Sequence, residues 1–323
     1  MTPNFTITNV MLNLIVEISA IAGQLSLEKR DLHLRKENRI RSIQSSLAIE
    51  NNSLSLEQVT QIINGKRVLG SPKDIHEVEN AYQAYEQAFL LDPYDYRDLL
   101  KAHKLLTDGL IKETGKFRSK DIAVYSGENI VHLGARAEFV PKLVKNLLAW
   151  AKKSEMPALI KSCVVHFELE IIHPFSDGNG RIGRLWQSLI LSKWEPLFEW
   201  VPIETVIYQH QQRYYEALSL SNRQNDSSVF IEFMLEAILT TLKSYSMTKM
   251  SDKTSDILSD KEQVTYNKIR DYLHKHAFIT NQKAVALLGL SAASVRRYLV
   301  KFVELELLVA QGEKKNRTYY IKE

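Results

Sequence analysis

An apolar helical repeat that runs into His173-Pro174, with Gly178 and Gly180 directly behind it, is the feature that most constrains this chain. Leu159, Cys163, Phe167 and Ile171 recur every four residues, the spacing of one face of an α-helix. Pro174 disfavours helical geometry at the residue before it, so the spacing predicts a helix that ends at His173 with the imidazole facing a loop. Gly178 and Gly180 open backbone torsions closed to other residues and leave room for close approach. Their N–H groups can converge on an anion. Ile182 to Lys193 reads as a second helix starting directly after the loop, whose partly positive N-terminus adds to the same field. Arg181 and Arg184, three residues apart, lie on roughly one helical face, and each can fork onto phosphate oxygens. Asp177 is a hard oxygen ligand beside this nest, suited to a magnesium ion completed by substrate phosphates. Each feature alone is ordinary. A purely structural loop has no need of two glycines, two arginines, an acid and a histidine within one short run, so the segment reads as a helix-loop-helix that handles a nucleotide polyphosphate.

The run His173 to Arg184 resembles the signature of the Fic family, His-x-Phe-x-Asp/Glu-Gly-Asn-Gly-Arg-x-x-Arg, and matches every defined position. The resemblance implies an all-α Fic core with a small β-hairpin flap, and an enzyme that transfers AMP from ATP to a Tyr, Thr or Ser hydroxyl of a target protein. It implies His173 as general base, Asp177 as the holder of Mg2+, and Gly178, Asn179 and Gly180 as the phosphate cradle, with Ile182 and Gly183 adjoining it. Arg181 falls at the α and β phosphates and Arg184 at the γ-phosphate. An imidazole with an ordinary pKa of about 6.5 suits general-base work at neutral pH. Gly115 to Tyr125 resembles the family's flap, with Val124 as a nucleotide contact and an extended edge that takes a target segment by strand addition. An ordinary surface hairpin gives the same pattern. Tyr214 to Asn222 resembles the helix that closes the adenine pocket, making Tyr214 and Asn222 nucleotide contacts, although core packing alone also explains the tyrosine. A related branch moves phosphate instead of AMP. It usually has Lys at the Gly180 position and lacks the second arginine, so these residues argue against phosphotransfer.

Upstream, Ser46 to Asn51 matches the family's inhibitory pattern Ser/Thr-x-x-x-Glu-Gly/Asn. Ser46 and Glu50 are one helical turn apart and share a face, while Asn51 and Asn52 are helix stops. The resemblance implies that Glu50 inserts into the site and pairs with Arg184, leaving ATP either excluded or bound with its α-phosphate misaligned. A bidentate carboxylate–guanidinium pair rivals a phosphate contact, so this route is physically sufficient. In some members the same glutamate positions a water for removing AMP, and the residues leave both directions open. Self-modification and a homodimer also follow from the resemblance.

With 45% hydrophobic and 25% charged residues over 323 positions, the composition is that of ordinary globular material and the length admits more than one domain. Pattern breaks predict a helical N-terminal region over 1–65 carrying the inhibitory motif, a catalytic core over 66–245, a linker over 246–260 rich in Ser, Thr, Lys and Asp, and a separate unit over 261–323. Cys163, the one cysteine, cannot form an internal disulfide and falls on an apolar helix face, which predicts burial. No basic-then-apolar leader and no apolar run approaching the roughly 18 residues of a membrane span is evident, which predicts a cytoplasmic protein with no membrane partner. His166, Glu170 and His173 lack the His-Glu-x-x-His spacing of a helical zinc site.

Residues 261–323 read as helix, short helix, turn at Gly289, helix from Ser291 and two strands around Gly312, a pattern that resembles a winged helix-turn-helix of α+β class. Ser291 to Tyr298 is the candidate recognition helix and Glu313 to Arg317 the wing tip, which makes Arg296, Arg297, Lys314, Lys315 and Arg317 the candidate DNA contacts. This segment has 12 Lys and Arg against 6 Asp and Glu, a net +6, while the rest of the chain nets −2. Basic charge is thus concentrated where DNA binding requires it, though winged helices also dock proteins. The competing class of function is a DNA-binding transcriptional regulator in which the Fic-like core is a sensor.

Overall fold

In the computed structural model, residues 2–26, 32–126, 129–255, 258–273, 276–305, 307–312 and 317–321 are described. The chain divides into two units, Met1–Tyr245 and Ser246–Glu323. In the first, helices α1 (Asn9–Ser26), α2 (Leu32–Ile49), α3 (Leu56–Ile63), α4 (Pro72–Ala88) and α5 (Tyr96–Thr107) precede a hairpin of β1 (Ala123–Ser126) and β2 (Asn129–Leu133). Then follow α6 (Val140–Lys153), α7 (Ala158–Ile172), α8 (Asn179–Trp194), α9 (Ile203–Gln209), α10 (Gln211–Gln224) and α11 (Ser228–Ser255), which starts in this unit and whose range passes its boundary at Tyr245.

The central pair is α7 and α8, helices buried on nearly every side. They approach closely because Gly183 carries no side chain: a Cβ there would lie 2.9 Å from His166 Cδ2. The pair separates two apolar clusters. One joins Met11, Ile18 and Ala22 of α1 to Leu159, Cys163 and Phe167 of α7 and to Phe230, Met234 and Ile238 of α11. The other joins Ile43 and Leu47 of α2 to Val78 and Tyr85 of α4, Leu99 of α5 and Ile182, Trp186 and Leu189 of α8. Cys163 is buried as expected, and burial pushes its thiol up to about 12, so it is inert.

Three boundaries differ from the sequence reading. α8 begins at Asn179, not Ile182, so Gly180 sits inside its first turn instead of in the loop. The hairpin strands lie at the C-terminal end of, and beyond, the Gly115–Tyr125 stretch, pairing Ala123 with Leu133 and Ser126 with Asn129. The range of α11 extends to Ser255, through much of the stretch read as linker; its polar residues lack apolar periodicity but not helix propensity. Moreover, α1 is an 18-residue helix with mean hydropathy 1.3, long and apolar enough to cross a membrane, although only 22% of it is buried. Asn9, Asn13 and Glu17 interrupt the apolar run without lowering the mean enough to matter. Its Met11, Ile18, Ala22 and Leu25 nevertheless pack into the core, and Glu17 pairs with Lys243 of α11 at 2.6 Å.

The second unit holds α12 (Asp260–Leu273), β3 (Ile279–Thr280), α13 (Asn281–Leu288), α14 (Ala292–Glu304), β4 (Leu308–Gln311) and β5 (Thr318–Ile321). Its strands form an antiparallel sheet in the order β3-β5-β4. Gly289, at φ 64°, ends α13 in the left-handed conformation, and the Ser291 hydroxyl caps α14 by accepting from Ser294 N–H. Tyr266, Ile269, Leu299, Phe302 and Tyr319 make its own core.

Candidate active site

The site lies where α7 ends and α8 begins. α7 stops at His173, a non-glycine residue held in the left-handed conformation (φ 51°, ψ 63°), consistent with the proline that follows it. Its Nδ1 is 3.2 Å from the Glu170 carbonyl, which accepts the Nδ1 proton and leaves Nε2 as the atom that can receive one. The next turn is pinned from both sides. The Asn179 amide accepts from Phe175 N–H and donates to Phe175 C=O, both at 2.9 Å, and His103 stacks on the Phe175 ring at 3.7 Å. Nε2 of His103 donates to the Asp177 carbonyl at 2.9 Å while Nδ1 accepts from Gly115 N–H. Burial pulls this imidazole down to about 4, so it is neutral and its tautomer is fixed. Gly178, at φ 83°, then turns the chain into α8 without any side-chain cap, leaving the first-turn N–H groups to face the site.

Into that cradle comes a carboxylate. Helix α2 ends in a Schellman motif: Asn52 N–H donates to Leu47 C=O and Asn51 N–H to Ala48 C=O, with Asn51 left-handed at φ 67°. Glu50 is the residue this closure projects. Its Oε1 is 2.7 Å from Nη2 of Arg184 and stands where a side chain on Gly180 would be, 2.1 Å from that Cβ position. Arg184 also donates from Nε to the Ser46 hydroxyl at 3.1 Å and from Nη2 to the Ser46 carbonyl at 2.9 Å. Both motif residues therefore meet the same guanidinium. Burial works against the charge of Arg184, but Glu50, Tyr214 and Glu170 outweigh it and hold the guanidinium above its usual range. From α10, Gln211 and Tyr215 donate to the Ile49 carbonyl at 2.9 and 3.3 Å, gripping the last turn of α2.

Arg181 turns the other way. It donates to Asp177 at 3.0 Å and to Glu77 of α4 at 3.2 Å, and the second Glu77 oxygen accepts from the Asn52 amide at 3.0 Å. Both arginines are thus held by acids from the helical layer in front of them. Two buried donors, Nη1 of Arg184 and Nε of Arg181, have no hydrogen-bond partner among the described residues. With the close approach at Gly180, those spare donors fit an anion with more oxygens than one carboxylate has. Asp177 has a half-exposed side chain beside the cradle, the hard donor a magnesium ion needs.

Other expected contacts are placed differently. The Ile182 side chain is fully buried in the core, so only its backbone borders the cradle. The Asn179 amide is taken up by Phe175. Tyr214 is 1% exposed, packed on Phe230 and Phe233 with its hydroxyl 3.1 Å from His166 and 3.4 Å from Glu170, which makes it a wall of the core. Burial raises the Glu170 carboxyl, but its hydrogen bond with His166 and the nearby His173 and Arg184 outweigh that and hold it below the usual range. Val124 lies in β1 opposite His132, and its side chain is outside the described residues. Asn222 lies in α10. His103, Glu77, Arg118, Gln211 and Tyr215 were not singled out from sequence. Glu77 had a readable signal, an acid on the otherwise apolar face of Ala81, Ala84 and Ala88. In the second unit Arg296, Arg297 and Arg317 are exposed, while Lys314 and Lys315 lie outside the described residues.

Comparison with known proteins places the whole chain. A Fic family protein from Desulfovibrio desulfuricans G20 is 39% identical, with all of this chain and 98% of that one covered and a TM-score of 0.75. The chain belongs to the Fic family. The Fic/DOC family profile matches residues 93–191 of this Fic protein, spanning α5 to α8. Fic-1 from Caenorhabditis elegans shares the fold at 20% identity, covering 75% of this chain and 74% of that one with a TM-score of 0.63. A protein adenylyltransferase Fic from Culex quinquefasciatus is 29% identical over 65% of this chain, and a probable protein adenylyltransferase from Aquifex aeolicus is 23% identical over 83% of it. The match covers 42% of the Culex protein and 81% of the Aquifex one, so this chain spans less than half the length of the former.

Proposed function

We propose that this Fic protein is a protein adenylyltransferase held inactive by its own α2. The observation that carries the reading is the Glu50 carboxylate lodged on Gly180 and Arg184, an acid filling an anion cradle that has donors to spare. The names of the adenylyltransferase relatives support the same reading. On it, the ATP triphosphate lies along Gly178 to Arg184, with Arg181 at the α and β phosphates and Arg184 at the γ-phosphate. His173 Nε2 takes the proton of a target hydroxyl. The new bond joins that oxygen to the α-phosphorus, the bond to the bridging α-β oxygen breaks, and pyrophosphate leaves. The arginines and the N-terminus of α8 meet the charge that develops. Asp177 would hold a magnesium ion, which would supply further charge neutralisation to the polyphosphate. Glu50 occupies Arg184 and so keeps the γ-phosphate from its seat.

Labelled ATP with magnesium tests this on the whole protein. Glu50→Gly is expected to raise self-labelling with AMP at least tenfold, and His173→Ala in that background to abolish it. Equal labelling of wild type and Glu50→Gly overturns the inhibition. Absence of labelling of itself and of lysate proteins by Glu50→Gly overturns the transfer.

For the second unit we infer a winged helix that docks on DNA through α14, supported by its net positive charge and by the exposed Arg296 and Arg297 of that helix. Duplex affinity measured against salt is expected to lose about two from its logarithmic slope in Arg296→Ala/Arg297→Ala. An unchanged slope points to protein docking.

A further inference from the structure

Arg118 lies in the segment between α5 and β1 and is 3% exposed, yet among the described residues no carboxylate bonds its guanidinium, and each of its hydrogen bonds there is to a backbone carbonyl. Nε donates to His173 C=O at 2.7 Å, and Nη2 reaches Ile172 C=O at 3.4 Å, the orphan carbonyls at the end of α7. Nη1 donates to Lys120 C=O at 2.7 Å, just before β1, and Nη2 to Ala135 C=O, just after β2. Its own N–H donates to Pro174 C=O at 3.0 Å. One planar fork therefore ties both roots of the hairpin to the backbone of His173. Gly134 keeps the junction tight: a Cβ there would lie 3.0 Å from Nη2 and 3.4 Å from His173 Cβ.

The chemistry of the fork explains the choice of residue. A cation at the C-terminal end of a helix is favourable, and a lysine there offers one point charge without the fixed angles that reach four carbonyls. Asp121 lies near enough to favour the charge, while burial opposes it more strongly. The guanidinium touches neither the Gly178–Arg184 cradle nor Glu50, so its effect passes through the backbone it holds.

We propose that Arg118 is a positioning residue that sets the hairpin and the His173 imidazole in one fixed relation, so that a hydroxyl presented on the hairpin meets Nε2. This rests on the adenylyltransferase reading, and misplacement of a reacting group by about 1 Å costs on the order of a hundredfold in rate. Arg118→Lys and Arg118→Gln, each combined with Glu50→Gly, separate the possibilities. Calorimetry is expected to give an ATP Kd within about twofold of the parent, whereas self-labelling at saturating ATP falls about a hundredfold in both variants. Hydrogen exchange is expected to quicken at 119–123, 134–137 and 172–175 and to stay unchanged in α8. Full activity in Arg118→Lys overturns the proposal, as does faster exchange spread evenly over the first unit or a loss of ATP affinity parallel to the loss of rate. If the Glu50→Gly parent transfers no AMP, the adenylyltransferase reading fails by itself, and the exchange pattern still decides whether Arg118 couples hairpin to histidine.

Discussion

His103 shows how one residue's ionisation enters the stability of the site. It is fully buried between Phe175, Gly115 and Asp177, and burial holds it near 4 against about 6.5 in an unfolded chain. The unfolded state therefore binds more protons between these values. The stabilisation is complete above pH 6.5 and is lost as pH falls toward 4, by about 3 kcal/mol in all. Glu168 works the other way: burial pushes it to about 7, so its contribution is lost as pH rises from about 4.5 through 7. The two slopes blur each other in the wild type, and His103→Asn removes only the first. The stability gap between wild type and His103→Asn, from urea midpoints, is expected to narrow by about 3 kcal/mol between pH 7 and pH 4. A gap independent of pH sinks the account. The signature residues were legible because chemistry needs them close in sequence. Arg118 was not, since it acts on the loop from another segment and sits in no periodic pattern, while His103 interrupts the apolar face of Leu99, Ala102 and Leu106, a signal that marks burial but not its hold on the loop.

At the scale of an element, the proposed inhibition depends on where α2 stops. Asn51 takes the left-handed conformation that closes the Schellman motif and aims Glu50 at Arg184. Asparagine and glycine tolerate that conformation, while a β-branched residue pays roughly 1–2 kcal/mol to adopt it. Asn51→Gly is expected to keep basal self-labelling within about twofold of wild type, whereas Asn51→Ile unravels the last turn and raises labelling toward the Glu50→Gly level. Identical labelling in the two variants refutes the role given to the turn. Loss of the Glu77 bridge gives a second reading at this scale. Glu77→Gln weakens the hold on Arg181 yet leaves Glu50 on Arg184, so labelling is expected to rise less than fivefold, and Glu50→Gly/Glu77→Gln is expected to exceed Glu50→Gly alone. A double variant no faster than the single one shows that Arg181 needs no release. The stop of α2 was written in Asn51 and Asn52, a local cue. The start of α8 was not, because Asn179 and Gly180 are poor helix formers that the buried α7–α8 pairing overrides.

Across the whole molecule, the charge contrast read from sequence coincides with a division of the apolar core. The clusters of the first unit share no residue with that of the second, in which Phe302 is fully buried against Tyr266 and Tyr298. A chain built this way need not unfold in one step. Truncating Phe302 to Ala removes a large buried ring and costs about 3–5 kcal/mol, but that loss can act only on the cluster that contains it. In calorimetry of the full chain, Phe302→Ala is expected to lower one transition and leave the other in place. Combined with Glu50→Gly, it is expected to label itself at the parent rate below the lowered transition, because Phe302 belongs to the core cluster of the second unit. On the proposed docking to DNA, duplex affinity falls with the same transition, since Arg296 and Arg297 lie on the helix that carries Phe302. A single transition that shifts as a whole, or a labelling rate that drops with it, would mean that the two cores are energetically one.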